Sequence, residues 1–223
     1  MPKVTFKFDI VKDSKTYYDA VNKGNAWGYD FSNSVKPEVK NMLKGKSWDK
    51  VKVKLGDMLK KGYKEKEKEQ NSLAKKIEGG WRKVEKRYFT KLEKVTKRKI
   101  YHENFTAFFV TIGRCPYYPK EHGFAVSLFG KETNLTIAHE IMHLQFHHYF
   151  EDKITKEIGE NKFQDLKEAL TELLNIEFKN VILGTDLGYP NHKQLREFIS
   201  KSWKEEKDFD VLLNKCIKYL KEK

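Results

Sequence analysis

Residues 139–143 read His-Glu-Ile-Met-His, and no other stretch narrows the fold as much. On an α-helix, positions four apart lie on one face a turn apart, so His139 and His143 can direct ring nitrogens at one point. Neutral imidazole suits a tetrahedral divalent metal, and zinc sites that do chemistry keep three protein ligands and an open position for water. Glu140 falls beside that point, where a carboxylate can take a proton from a water whose pKa the metal lowers to about 7. The flanking residues supply the helix. Leu135, Ile137, Ala138, Ile141, Met142, Leu144 and Phe146 give 134–150 an apolar, buried character, and Thr133 or Asn134 serves as N-cap.

The chain around this segment is long enough, at 223 residues, for a real core. Charged residues at 35% and hydrophobic residues at 39% fit a globular protein without a membrane span, and the longest apolar run, 105–113, is too short to cross a bilayer. The opening MPKVTFKFD alternates, where a signal peptide has a continuous apolar stretch. Cys115 and Cys216 form neither a metal-type pair nor a disulfide framework; they read as reduced core thiols, and the expected location is cytoplasmic. The net charge of +13 is unevenly placed: residues 1–100 hold 28 Lys/Arg against 13 Asp/Glu, residues 101–223 hold 17 against 19. A basic half is a potential nucleic-acid surface. Its lysines alternate with glutamates, however, as in 64–69, which is the pattern of a solvated helix face.

In chain order, Val4, Phe6, Phe8 and Ile10 alternate with polar residues and predict a half-buried strand. Ser14 can cap a helix through Val21, ended by Gly24. An aromatic loop with Trp27, Tyr29 and Phe31 follows, and Pro37 suits the first turn of another helix. Trp48, Val51, Leu55, Met58 and Leu59 recur at helical spacing, although 51–55 also alternates as a strand would. Gly79-Gly80 should break the lysine- and glutamate-rich stretch, after which Trp81, Val84, Tyr88, Leu92 and Val95 predict an amphipathic helix to about Lys99. Residues 1–100 thus read as a basic, mainly helical region packed on a catalytic region, 101–223, the two forming one integrated domain. Strands are expected over 105–112 and 124–129, separated by a turn containing Pro116 and Pro119. As a sheet edge, 124–129 could take an extended peptide by strand addition; as an interior strand it could not.

Two imidazoles hold a metal weakly, so a third ligand is required. An x-x-Gly-x-x-His continuation fails, because Phe146 and Tyr149 occupy those places. His147 lies a further turn along the helix and, with His148, reads as surface or outer-sphere. Residues 163–180 form a second helical stripe with Leu166, Leu170, Leu173, Leu174 and Phe178; Glu168 and Glu172 lie four apart on it, and Glu177 is a weaker substitute. Here Lys167-Glu-Ala-Leu-Thr-Glu172 resembles the gluzincins, the thermolysin-like metallopeptidases of the zincin class, whose glutamate ligand sits on a later helix and is followed four residues on by an acid that orients a ligand histidine. The resemblance spans roughly 124–175 and leaves the N-terminal half unrecognised.

It implies an α+β, zincin-like fold, predominantly helical, with a small sheet next to the 139–143 helix. It implies Zn2+ held by His139, His143 and Glu168, with Glu172 behind a ligand histidine, as such rings require of a carboxylate. The implied activity is hydrolysis of a peptide or protein substrate, with Glu140 as general base and then proton donor to the amine. Family members add a downstream tyrosine or histidine as oxyanion donor; Tyr189 and His192 are the candidates, with Tyr149 another. One rival concerns the third ligand. Gly184-Thr-Asp186-Leu-Gly-Tyr189 is similar to the aspzincin pattern, one residue short, in which the aspartate ligates, so Asp186 stands beside Glu168. Two rival functions also stand: a catalytically idle zincin used for binding, and a nucleic-acid-binding protein with a structural metal.

Overall fold

The alternation at the N-terminus forms a strand, β1 (Lys3–Phe8). The computed structural model describes residues 1–223, the side chains of residues 25 and 26 excepted. After β1 come α1 (Ile10–Asn22), a ribbon of β2 (Asn25–Ala26) and β3 (Tyr29–Asp30), α2 (Pro37–Leu43), α3 (Trp48–Glu65), α4 (Glu67–Arg82) and α5 (Glu85–Thr96). The chain then runs through β4 (Asn104–Val110), β5 (Tyr117–Tyr118), β6 (Gly123–Ser127), α6 (Thr133–Ile158), α7 (Glu160–Ala169), α8 (Glu172–Glu177), α9 (Lys193–Glu205) and α10 (Phe209–Lys221). The architecture is α+β, predominantly helical, with one four-stranded mixed sheet in the order β1-β4-β6-β5. Among the described residues no helix is long and apolar enough to cross a membrane.

β1 and β4 are parallel neighbours, with Val4 opposite Phe105 and Phe8 opposite Phe109. Residues 9–103 therefore lie between two hydrogen-bonded strands. Strand alternation sends Phe105, Ala107 and Phe109 into the main core with Trp81, Phe89 and Ile141. Phe108 faces the other way, where Lys12 of α1 lies 5.1 Å from its ring centroid. On that side α1, α2 and α3 close a second, smaller core of Ala20, Val39, Leu43, Val51, Leu55 and Leu59 with Ile112. Both faces of the sheet are thus covered, which is why β4 and β6 are nearly continuous apolar runs. Buried Asp13 joins the two sides: it accepts from Thr111 N (2.9 Å), Thr111 Oγ1 (2.8 Å) and Tyr63 Oη (3.0 Å). The outer edge of β1 is closed by side chains, since Val4 N donates to Glu85 and Arg82 donates to Val4 O.

Several sequence expectations need correction. Asp9, not Ser14, caps α1, accepting from Lys12 N, and Ser14 is buried one turn inside the helix. The Gly79-Gly80 pair does not break α4. Ala74, Ile77 and Trp81 are buried on either side of it, and Gly80 O accepts from Asn134 Nδ2 at 3.3 Å, so packing outweighs the poor helix propensity of glycine. The break comes at Lys83–Val84 instead, separating Trp81 from the helix that continues to Thr96. Asn134, engaged with Gly80, is not a cap; α6 starts at Thr133 without a side-chain cap and runs to Ile158, well past Phe150. The 114–120 turn holds the two-residue strand β5, which pairs antiparallel with Gly123 and Phe124. β6 is accordingly neither a free edge nor a full interior strand: β4 flanks its whole length and β5 only its start.

Candidate metal centre

The site is assembled where α6 crosses α7. Its apolar residues bury α6 on nearly all sides, so His143 is 2% exposed and Glu140 6%. His139 and His143, a turn apart, bring their Nε2 atoms to the same oxygen of α7: Glu168 Oε2 is 3.1 Å from His143 and 3.6 Å from His139. The three ligand atoms lie within 4.8 Å of one another, so the group could hold a metal ion. At 3.1 Å His143 Nε2 is also within hydrogen-bond distance of Glu168 Oε2, so the longer separation is the one that bears on coordination. Donors about 2.0–2.2 Å from a tetrahedral zinc lie roughly 3.3 Å apart, whereas 3.6 Å is too long for a normal hydrogen bond. His139 Nε2 and Glu168 thus fit a shared ion better than a shared proton.

The ring nitrogens behind the cluster test the fit again. His139 Nδ1 meets Asp186 Oδ2 at 2.6 Å, which fixes the ring and leaves Nε2 for the ligand position. Asp186 is itself clamped. Its Oδ1 accepts from Arg196 Nη1 (2.9 Å), its carbonyl accepts from Arg196 Nη2 (2.6 Å), and its backbone is bracketed by Asn175. Glu172 stands one step further out, against Arg196 (2.8 Å) and Asn175 (3.0 Å). The carboxylate behind the histidine is therefore Asp186, and the assignment of Glu172 to that place is corrected. The physical reason is a break in the helix: residues 170–171 form a turn, with Thr171 Oγ1 donating to Glu168 O, so Glu168 and Glu172 lie on two helices and point to different neighbours. Asp186 lies on the Nδ1 side of His139 and outside the group that could hold a metal ion.

Electrostatics follow from this burial. Burial pulls the His143 ring down to about 3, so its nitrogen lone pair is free. For His139 burial acts in the same direction, but Asp186 outweighs it and holds the ring well above the usual imidazole range. Burial would raise Glu168; His143 and Lys167 overcome it and keep the carboxyl ionised. Burial pushes Glu140 up to about 8. Lys167, 2% exposed, donates to Glu168 Oε1 at 2.7 Å and lies 4.1 Å from the Tyr117 ring centroid. With Oε1 so engaged, Oε2 is the oxygen left for the metal.

The group opens into a cavity of about 300 Å³ walled by Trp27, Phe31, Arg114, Tyr117, Gln164 and Tyr189. A wider groove of about 870 Å³ lies across Tyr189, floored by α9, but contains none of the ligand residues. Tyr189 reaches the cavity; its ring packs tilted against Trp27, centroids 5.0 Å apart, and burial with Glu168 and Glu140 nearby keeps the phenol protonated. His192 does not line the cavity. Its Nε2 meets Asp165 Oδ1 at 3.0 Å, and the same oxygen accepts from Trp27 Nε1 at 2.7 Å, so His192 sits behind the wall. Tyr149 is turned away to Lys99 O, and Glu177 to Trp203 and Lys207. Gly188 (φ +63°) lets this loop pass over Arg196: a Cβ there would come within 2.7 Å of the guanidinium. Arg196 and Arg114 escaped sequence reasoning, because no spacing rule reaches partners brought in from another helix or a proline-rich turn. Lysines of residues 1–100, in turn, meet acids along their own helices (Lys15–Asp19, Lys52–Asp49, Lys60–Asp57).

Substituting Asp186→Asn leaves size unchanged and removes the charge that orients His139. Zinc affinity is expected to fall about 10- to 100-fold. Competition against a calibrated chelator reads this directly, and an unchanged constant would deny Asp186 that role. No family model, curated protein or solved structure matches the chain.

Proposed function

We propose that this protein is a zinc-dependent peptidase with gluzincin-like ligation by His139, His143 and Glu168 on a zincin-like arrangement of sheet and helix. The observation that carries the reading is the pair of separations, 3.1 and 3.6 Å, from one oxygen of Glu168 to the two histidine nitrogens, with the remaining oxygen and His139 Nδ1 held by other partners. The donor set is two imidazoles and a carboxylate, the composition of hydrolytic zinc sites that retain an open position. Zinc bound there would supply Lewis acidity toward a peptide carbonyl and make water acidic enough to deprotonate near neutral pH.

The chain's own groups do the remaining work. Glu140, one residue from a ligand and facing the cavity, is pushed up to about 8 by burial in the metal-free protein; the positive charge of bound zinc would favour its ionised form, which takes the proton of the attacking water and returns it to the leaving amine. Tyr189 Oη, with no hydrogen bond among the described residues, is available to donate to the carbonyl oxygen as negative charge develops there. Asp186 and Arg196 hold His139 in one orientation, and Lys167 holds Glu168.

The test is a mass-spectrometric digest of a peptide library by zinc-loaded protein, by protein stripped with a chelator, and by stripped protein given zinc again. Cleavage is expected in the first, absent in the second and restored in the third. Cleavage that survives stripping, or none by a sample with one equivalent of zinc, would end the peptidase reading.

A further inference from the structure

Of the five arginines, Arg82, Arg98 and Arg196 are ion-paired and Arg87 is exposed. Arg114 differs from all of them. It is half-buried, lines the metal cavity, and makes no ion pair or hydrogen bond among the described residues. Its guanidinium lies 5.8 Å from the Phe31 ring centroid, a contact that positions the planar group without neutralising it. Of the two acids that line the cavity with it, Glu168 is engaged by Lys167 and the histidines, and Glu140 forms no ion pair with Arg114 among the described residues. Lys23 adds a third cation to the lining, at the rim and 3.7 Å from Asp19. Three cations thus line the cavity against the two acids Glu140 and Glu168, and bound zinc adds to that excess. A substrate that covers this half-exposed guanidinium without pairing it incurs a desolvation cost that a bound carboxylate offsets.

We propose that Arg114 reads a carboxylate on the substrate, next to the bond that is cut. Arginine suits this because its planar fork meets the two oxygens of a carboxylate with parallel hydrogen bonds, and the aromatic stack fixes the plane in advance. The carboxylate can come from a free C-terminus or from an acidic side chain; the recognition chemistry is the same. Neutral peptides are then poor substrates, since they cover the guanidinium without pairing it. This rests on the peptidase reading for its turnover consequence, but the binding step does not need turnover.

The experiment uses zinc-loaded full-length protein and three matched peptide libraries: amidated without acidic residues, the same with free C-termini, and amidated with one internal glutamate. Wild type is expected to favour one or both carboxylate libraries by about 10- to 100-fold in kcat/KM, as charge-assisted hydrogen bonds are worth. Arg114→Met is expected to level the three, and Arg114→Lys to restore part of the preference. Preference for free C-termini alone identifies the terminus as the source; preference for internal glutamate identifies the side chain. Circular dichroism and zinc content show that the variants are folded and loaded. In parallel, NMR titration with N-acetylglycine and N-acetylglycinamide measures binding without chemistry, and the acid should bind more tightly only where Arg114 is present. Equal cleavage of all libraries by wild type overturns the proposal while sparing the peptidase reading. Absence of any cleavage, with Arg114-dependent binding of N-acetylglycine, does the reverse. Equal binding of that probe by wild type and Arg114→Met sinks the carboxylate site whatever the turnover.

Discussion

Zinc-loaded Glu140→Gln is expected to keep one equivalent of metal and to cleave peptides about 10²- to 10⁴-fold more slowly than wild type. The amide has the shape of the carboxyl but cannot accept a proton, so only proton transfer is removed. Burial already pushes the Glu140 carboxyl up to about 8, so an uncharged group fits the site without new desolvation. The folded carboxyl is therefore harder to ionise than the unfolded one. Ionisation penalises folding as pH rises through the range above the ordinary carboxylate value. The Gln variant, lacking that penalty, should be no less stable than wild type at neutral pH. Metal analysis, a thermal melt and a progress curve on one preparation check all three statements. Equal turnover by both proteins would remove Glu140 from the mechanism, and loss of zinc would make it a ligand rather than a base.

The second large effect is expected at Arg196→Met. This residue is 6% exposed and bonds Asp186 Oδ1, Asp186 O, Thr171 Oγ1 and Glu172 Oε2, at 2.9, 2.6, 2.8 and 2.8 Å. Methionine preserves the packed stem and deletes the charge, leaving the Asp186 and Glu172 carboxylates without their cation. Breaking one partner out of a buried ion pair costs about 3–5 kcal/mol. Urea denaturation of the zinc-free protein should show that loss as a lower midpoint with an unchanged slope. Zinc affinity should fall as well, by about 10- to 100-fold, because Asp186 loses its fixed position behind His139. Glu172→Gln, which removes only the outer and more solvated partner, should do much less. Comparable losses in the two variants would mean that Arg196 serves the fold and not the metal ligand.

How much of this was legible in the sequence depends on the range of the interaction. The convergence of His139 and His143 follows from helix geometry alone, and an apolar stripe was enough to bury the helix that bears them. Glu168 was reachable from its resemblance to a known pattern, and the structure does bring it to both rings. Glu172 was misplaced because the stripe of leucines continues through residues 170–171, where the backbone does not. Leu170, Leu173 and Leu174 are all buried, so burial is satisfied by a broken helix as well as by a straight one. Asp186 fell between two motifs: the aspzincin-like spacing drew attention to it as a metal ligand, and the structure places it against His139 Nδ1. Arg196 and Arg114 carried no local signal. Their significance lies in which carboxylates are near them, and proximity across the chain is not encoded in periodicity. The same holds for Gly79-Gly80, whose helical state depends on Asn134 in a different helix.

The pairing of β1 with β4 has a consequence for how the molecule is made. A strand from the first ten residues has its hydrogen-bonding neighbour only after residue 103, so on the ribosome it emerges long before anything exists to receive it. During that interval Phe6 and Phe8 are exposed with an unpaired backbone, the condition under which nascent chains recruit chaperones or one another. The lysines that alternate with these phenylalanines keep the waiting segment charged, and that is their service to the chain before it has a shape.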